Sequence, residues 1–188
     1  TVYNRRKGEF MKIEKTTVTK HLLTELSDLD PITVICEDLG PRQGKIIIEC
    51  YDVVWSAYWG GIGHRSVTDF FCKCDEHYLA KNLSRISSTV TDYENLDSWL
   101  KREIIKLRRN HQIEKQDARV FWVDVNLWCI NEESFLHSEK CRGLASEIIG
   151  DDWWHALPQE DNHEYIYLCR VINAVKDGLK QQAALQAA

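Results

Sequence analysis

The stretch "KIIIECYDVVWSAYWGGIGHRSVTDF", residues 45–70, decides the fold. Two runs rich in branched and aromatic residues, "KIIIECY" (45–51) and "VVWSAYW" (53–59), are separated by Asp52 alone. A link this short predicts antiparallel neighbours, because a parallel pair needs a crossover of a dozen residues or more. Alternation then places Ile46 and Ile48 on one face and Ile47 and Glu49 on the other, and Trp55 and Trp59 share a face four residues apart. The three glycines that follow, Gly60, Gly61 and Gly63, suit a tight corner. Ser66 with Asp69 three residues on resembles a capping box, although Glu or Gln is the usual partner, so the corner is expected to hand the sheet over to a helix.

Working outward, "ITVICED" (32–38) precedes a turn signal at Gly40-Pro41 to Gly44, and "KIEKTTVTKHLL" (12–23) alternates polar and branched residues. The expected sheet is an antiparallel meander of three to four strands. Downstream the period becomes helical. Val67, Phe70, Phe71, Cys74 and Tyr78 fall on one stripe at about 100° per residue, and "NLDSWLKREIIKLRRN" turns Leu96, Leu100, Ile104 and Leu107 inward. "EYIYLCRVINAVKDGLK" carries a continuous apolar face of Tyr165, Leu168, Cys169, Ile172, Val175 and Leu179. Between these helices Phe121, Val123, Val125 and Leu127 alternate like a strand while their flanks look helical; two helices are expected there. The predicted class is α+β, an N-terminal antiparallel β-meander packed against C-terminal helices. Residues 1–10 read as an extension before Met11, 11–180 as a single domain, and 181–188 as a C-terminal tail.

The chain has 188 residues, 44% of them hydrophobic, with only three prolines and nine glycines, so it can bury a real core. Its 24 Lys and Arg against 29 Asp and Glu give a net charge of −5. A balance this acidic argues against binding duplex DNA through the overall field. No apolar run approaches the roughly 20 residues that span a bilayer, and no secretory leader is visible, so a cytoplasmic location is expected. Seven cysteines, Cys36, Cys50, Cys72, Cys74, Cys129, Cys141 and Cys169, are an odd number in apolar contexts, which suits reduced core thiols better than a disulfide framework.

Four groups of residues invite a functional reading. Cys72, Cys74 and His77, with His64 as a fourth, have the chemistry of zinc ligands. On one continuous helix, however, Cys72 points away from the stripe of Cys74, and neither metal nor cofactor is expected. The glycine corner matches no phosphate-binding fingerprint. Lys101, Arg102, Arg108 and Arg109 lie with Lys106 on the outer arc of a helix with Ile105 in their midst, which permits a nucleic-acid interface; the alternative is a solvated face. In that helix Glu103 falls inside the apolar stripe and needs a partner. Asp151 and Asp152 beside Trp153 and Trp154, followed by Glu160, Asp161 and Glu164, make an acidic aromatic segment that suits a protein interface better than an active site. Asn162 or Asp161 is placed to cap the last helix. No catalytic triad, HExxH or kinase-like set is present.

The segments "IIIECYDVVWSAYWGGIG", "FFCKCDEHYLAKNLS", "GDDWWHALP" and "EYIYLCRVINAV" resemble a family of small accessory proteins encoded by tailed phages and prophages of enteric bacteria, from about Met11 to Lys180. The resemblance implies a phage accessory product in the bacterial cytoplasm and assigns no residue a role. Such proteins commonly act stoichiometrically on a host or defence protein, so a non-enzymatic binding protein is the first expectation. A nucleic-acid-binding module and a metal-dependent enzyme are the alternatives.

Overall fold

A computed structural model describes residues 13–128 and 132–187. Contacts divide the chain into two compact units, one containing residues up to Arg85 and from Tyr167 onward, the other running from Ile86 to Ile166.

The first unit is built on the predicted meander. Strands β1 (Thr19–Leu23), β2 (Ile32–Gly40), β3 (Gln43–Cys50) and β4 (Val53–Trp59) form one antiparallel sheet in the order β1-β2-β3-β4. Register aligns Val34 with Ile48 and Ile48 with Trp55, and Cys36 with Ile46 and Ile46 with Ala57. The inward rows are therefore Ile32, Val34 and Cys36 on β2 and Ile46, Ile48 and Cys50 on β3, all buried. Arg42 closes the β2–β3 hairpin at φ 74°, after Pro41. Gly44 has no room for a side chain, because a Cβ there would meet the Val67 Cβ at 2.5 Å.

The glycine corner is a structural joint. Ile62 is buried and donates its N–H to the Arg42 carbonyl at 2.9 Å, while Gly63 sits at φ 71°. Helix α1 (Val67–Lys73) starts on two caps: Ser66 Oγ accepts from Asp69 N, and Asp38 Oδ1 accepts from Val67 N at 2.7 Å. The expected single helix is in fact two. Cys74 turns extended, and Asp75 accepts from the backbone of His77 and Tyr78 to start α2 (Glu76–Leu83). An aspartate able to satisfy two free N–H groups outweighs the continuity of the apolar stripe. Trp59 packs against Phe70 and Phe71, with ring centroids 5.4 and 6.4 Å apart. The long helix α8 (His163–Ala187) buries Leu168, Val171, Ile172, Val175 and Leu179. Its polar groups are tied to this unit: Lys176 Nζ donates to the Cys74 carbonyl at 2.6 Å, Arg170 to the Asp28 carbonyl at 2.9 Å, and Asn173 Nδ2 to Glu76.

The second unit is mainly helical, with α3 (Leu96–Arg109), α4 (Lys115–Trp128), α5 (Glu132–His137), α6 (Glu139–Ile149) and α7 (Trp153–Ala156). A small sheet pairs β5 (Thr89–Thr91) with β6 (Gln159–Asp161), two strands too short to carry a periodic signal. Asn162 then caps α8 as its spacing suggests, Oδ1 accepting from Glu164 N at 3.0 Å. The core gathers Leu96, Leu100, Ile104, Val125, Phe135, Cys141, Leu144 and Ile148. Among the described residues of 115–149 there are three helices where two are expected, and residues 119–128 of the ambiguous stretch are helical. Together the units form an α+β protein: a four-stranded antiparallel sheet followed by helices.

Candidate functional site

The cysteine and histidine run does not converge. Cys72 Sγ points to the Lys176 carbonyl at 3.8 Å, Cys74 is the C-cap of α1, and His64 and His77 are exposed, His77 lying 3.9 Å from Glu76. Among the described residues no three His, Cys, Asp or Glu side chains are gathered as a metal site. Burial pushes the thiols of Cys36, Cys72 and Cys74 above their ordinary range, which disfavours the thiolate that nucleophilic chemistry requires. Cys36, Cys50 and Cys141 are buried, and Cys72, Cys74 and Cys169 are half-buried; Cys129 lies outside the described residues. Tyr167, hydrogen-bonded to Cys50 at 3.2 Å and partly desolvated, has its hydroxyl pushed up to about 12. The Tyr167–Cys50 contact fastens α8 to the sheet.

Two surfaces of the helical unit are better candidates. At the first, α6 ends at Gly150, whose φ of 113° lets the backbone reverse where a side chain would be strained. Asp151 Oδ1 accepts from Ser146 Oγ at 3.3 Å, and Trp153 N–H bonds back to the Gly150 carbonyl. The Trp153 ring stands edge-on to buried Phe135 at 5.3 Å and 88°, so it belongs largely to the core. Trp154 is 51% exposed, and among the described residues its ring contacts are with its own segment, edge-on to Trp153 at 5.8 Å and tilted to His155 at 5.7 Å. Asp151, Asp152, Glu160 and Asp161 are exposed around it in sequence. The arrangement supplies one open indole on a fixed base, in a segment whose neighbouring carboxylates are exposed.

The second surface lies between α3 and α4. Five linking residues, 110–114, with His111 at φ 58°, fold the two helices into a hairpin. Their shared groove is a cleft of about 420 Å³ with Ile104, Ile105, Ala118 and Trp122 on its walls and Arg108, Arg109, Lys115 and Arg119 around them. Of the four predicted basic residues, Arg108 and Arg109 line this cleft, while Arg102 does not. Lys101 instead pairs with Asp97 at 3.1 Å and sits 5.7 Å from the Trp122 ring centroid. Against desolvation that would raise it, hydrogen bonds from Lys101 and Ser98 hold the Asp97 carboxyl below its ordinary value. Glu103 finds its partner in Lys106 at 2.6 Å. The sequence signal missed Lys115, Arg119 and Trp122, because residues 121–127 alternate like a strand and hide the helix that carries all three.

A family model described as a phage family matches residues 11–181. Neither the curated proteins nor the solved structures give a match. Among the described residues no helix is long and apolar enough to cross a membrane.

Proposed function

The chain belongs to this phage family, and from that premise we propose a non-enzymatic binding protein, carried by phages and prophages of enteric bacteria, that modulates a host or defence protein in the bacterial cytoplasm. The observation that carries this reading is Trp154, half exposed on a base fixed by Trp153 against Phe135 and flanked by Asp151 and Asp152. Exposed, pre-organised tryptophan is the side chain most enriched at interface hot spots, since a rigid ring loses little entropy when it is covered. The raised thiols of Cys36, Cys72 and Cys74 support a binding role over covalent catalysis.

Affinity capture from host lysate tests it, with the wild-type chain beside Trp154→Ala and an Asp151→Asn, Asp152→Asn pair. Specific recovery of one host protein by the wild type, lost in both variants, is expected. Recovery of that protein by all three removes the corner as the recognition surface, and recovery of none removes the binding reading. Trp153→Ala is a poor probe, because it opens a gap over Phe135.

Nucleic-acid binding through Lys101, Arg102, Arg108 and Arg109 keeps one observation in its favour, the convergence of Arg108 and Arg109 on the α3–α4 cleft. Retention on RNA or single-stranded DNA that weakens with salt and disappears in Arg108→Glu, Arg109→Glu supports that alternative; no retention at low salt eliminates it.

A further inference from the structure

The α3–α4 cleft is chemically the opposite of the tryptophan corner. Its floor is apolar: Ile104 is buried, and Ile105 and Trp122, on different helices, are 37% and 40% exposed. An aliphatic side chain and an indole left open side by side, within a cleft in the ~300–1,000 Å³ range of ligand pockets, are ready to cover a further apolar group. The rim is cationic, and among the described residues no carboxylate lines it. Lys101 and Lys106 on the same helix are neutralised by Asp97 and Glu103, whereas no ion pair to a described residue engages Arg108, Arg109, Lys115 or Arg119. The concentration of charge is local. Seven of the nine Lys and Arg in residues 86–166 lie between 101 and 119, against three of the sixteen Asp and Glu.

We propose that this cleft docks an acidic segment of a partner protein that inserts one apolar side chain between Ile105 and Trp122 and sets carboxylates against Arg108, Arg109, Lys115 and Arg119. Two features favour a peptide over a nucleic acid. The floor walls of Ile104, Ile105 and Ala118 offer no side-chain donor or acceptor to the polar edge of a base. Outside 101–119 the unit carries thirteen acidic residues and only two cations, so a phosphate chain leaving the cleft would run into repulsion that a short acidic segment avoids. This surface is separate from the Trp154 corner, and either can fail without the other.

The test is fluorescence anisotropy with the full chain and a labelled synthetic peptide of Asp and Glu around a central Leu-Phe pair. Companion probes are the same peptide with Ser-Ser at its centre and a twelve-nucleotide oligouridine. Saturable binding of the Leu-Phe peptide is expected, at least tenfold weaker for the Ser-Ser peptide and at least tenfold weaker for Arg108→Glu, Arg119→Glu. The milder Arg108→Ala, Arg119→Ala, checked for helical circular dichroism, guards against a folding defect and should weaken binding in the same direction. Equal binding of the two peptides, tighter binding of oligouridine that the charge reversal abolishes, or no saturable peptide binding overturns the proposal. So does concentration-dependent self-association that the charge reversal abolishes and the peptide does not compete with, since the occupant would then be a second copy.

Discussion

The two units differ in how much tryptophan they leave open. In the sheet unit, Trp59 is buried beside Phe70 and Phe71, and Trp55 is half-buried with its ring 6.2 Å from that of Tyr167. In the helical unit, Trp99 and Trp153 are half-buried against the core, but Trp122, Trp128 and Trp154 are exposed, and buried aliphatic side chains with Phe135 make up most of the core. Cations differ likewise: Lys176 and Arg170 of the sheet unit bond backbone carbonyls of their own unit, whereas Arg108 and Arg119 rim an open cleft. Large rings that close a core stabilise a fold; the same rings left on a helical surface, beside unneutralised charge, are what a partner can cover. The sheet unit is thus read as scaffold and the helical unit as the place of recognition.

That contrast can be broken most directly by truncating one ring on each side. Phe71→Ala should lower unfolding free energy by about 3–5 kcal/mol, because a fully buried ring leaves a cavity. Trp154→Ala should cost less than about 1 kcal/mol, as an exposed side chain away from the core does. Chemical denaturation measures both, and equal losses would erase the distinction. A finer probe is the pair of crowded glycines in the sheet unit. Gly44→Ala should cost about 1–3 kcal/mol, since the new methyl meets the Val67 Cβ, which cannot swing aside. In Gly178→Ala the clash is with the Leu23 Cδ2 at 2.6 Å, a movable end, and the gain of about 1 kcal/mol in helix propensity offsets it. A net change near zero is expected, read from the same denaturation curves.

Next in size is Asp75→Ala, which removes the cap between α1 and α2 and should cost about 1 kcal/mol, partly restored by Asp75→Asn. A further effect is alkaline. Burial raises the folded thiols of Cys36, Cys72 and Cys74 above the ordinary 9.0, so the folded chain keeps protons that the unfolded chain releases. Their contribution is complete below about pH 9 and is lost as pH rises through the folded values. Stability measured from pH 8 to 10 should fall more steeply for the wild type than for a Cys36→Ala, Cys72→Ala variant; identical slopes would show the thiols to be solvated.

The sheet was legible because its signals are local. Ile46 and Ile48 alternate with Ile47 and Glu49, and both hairpins lie within a few residues of one another in the chain. The faces of α3 and α8 were legible for the same reason, Leu100 and Ile104 or Leu168 and Ile172 recurring every four residues. Helix α4 was not. Of its apolar residues only Val125 is fully buried, with Phe121 partly so, while Val120, Trp122, Val123 and Leu127 are exposed and disguise the helical period. The break at Asp75 was hidden by an apolar stripe that continues across it.

By itself, then, the order of residues determined the meander, its buried face and the inward stripes of the main helices, because burial with period 2 or 3.6 is written into neighbouring positions. Only the tertiary structure decided that Trp153 faces Phe135 while Trp154 stays open, and that Arg108 and Arg119 share a cleft with Trp122. Those outcomes depend on how separate helices meet, and side chains a helix apart carry no mark in the sequence of which of them will find a neighbour.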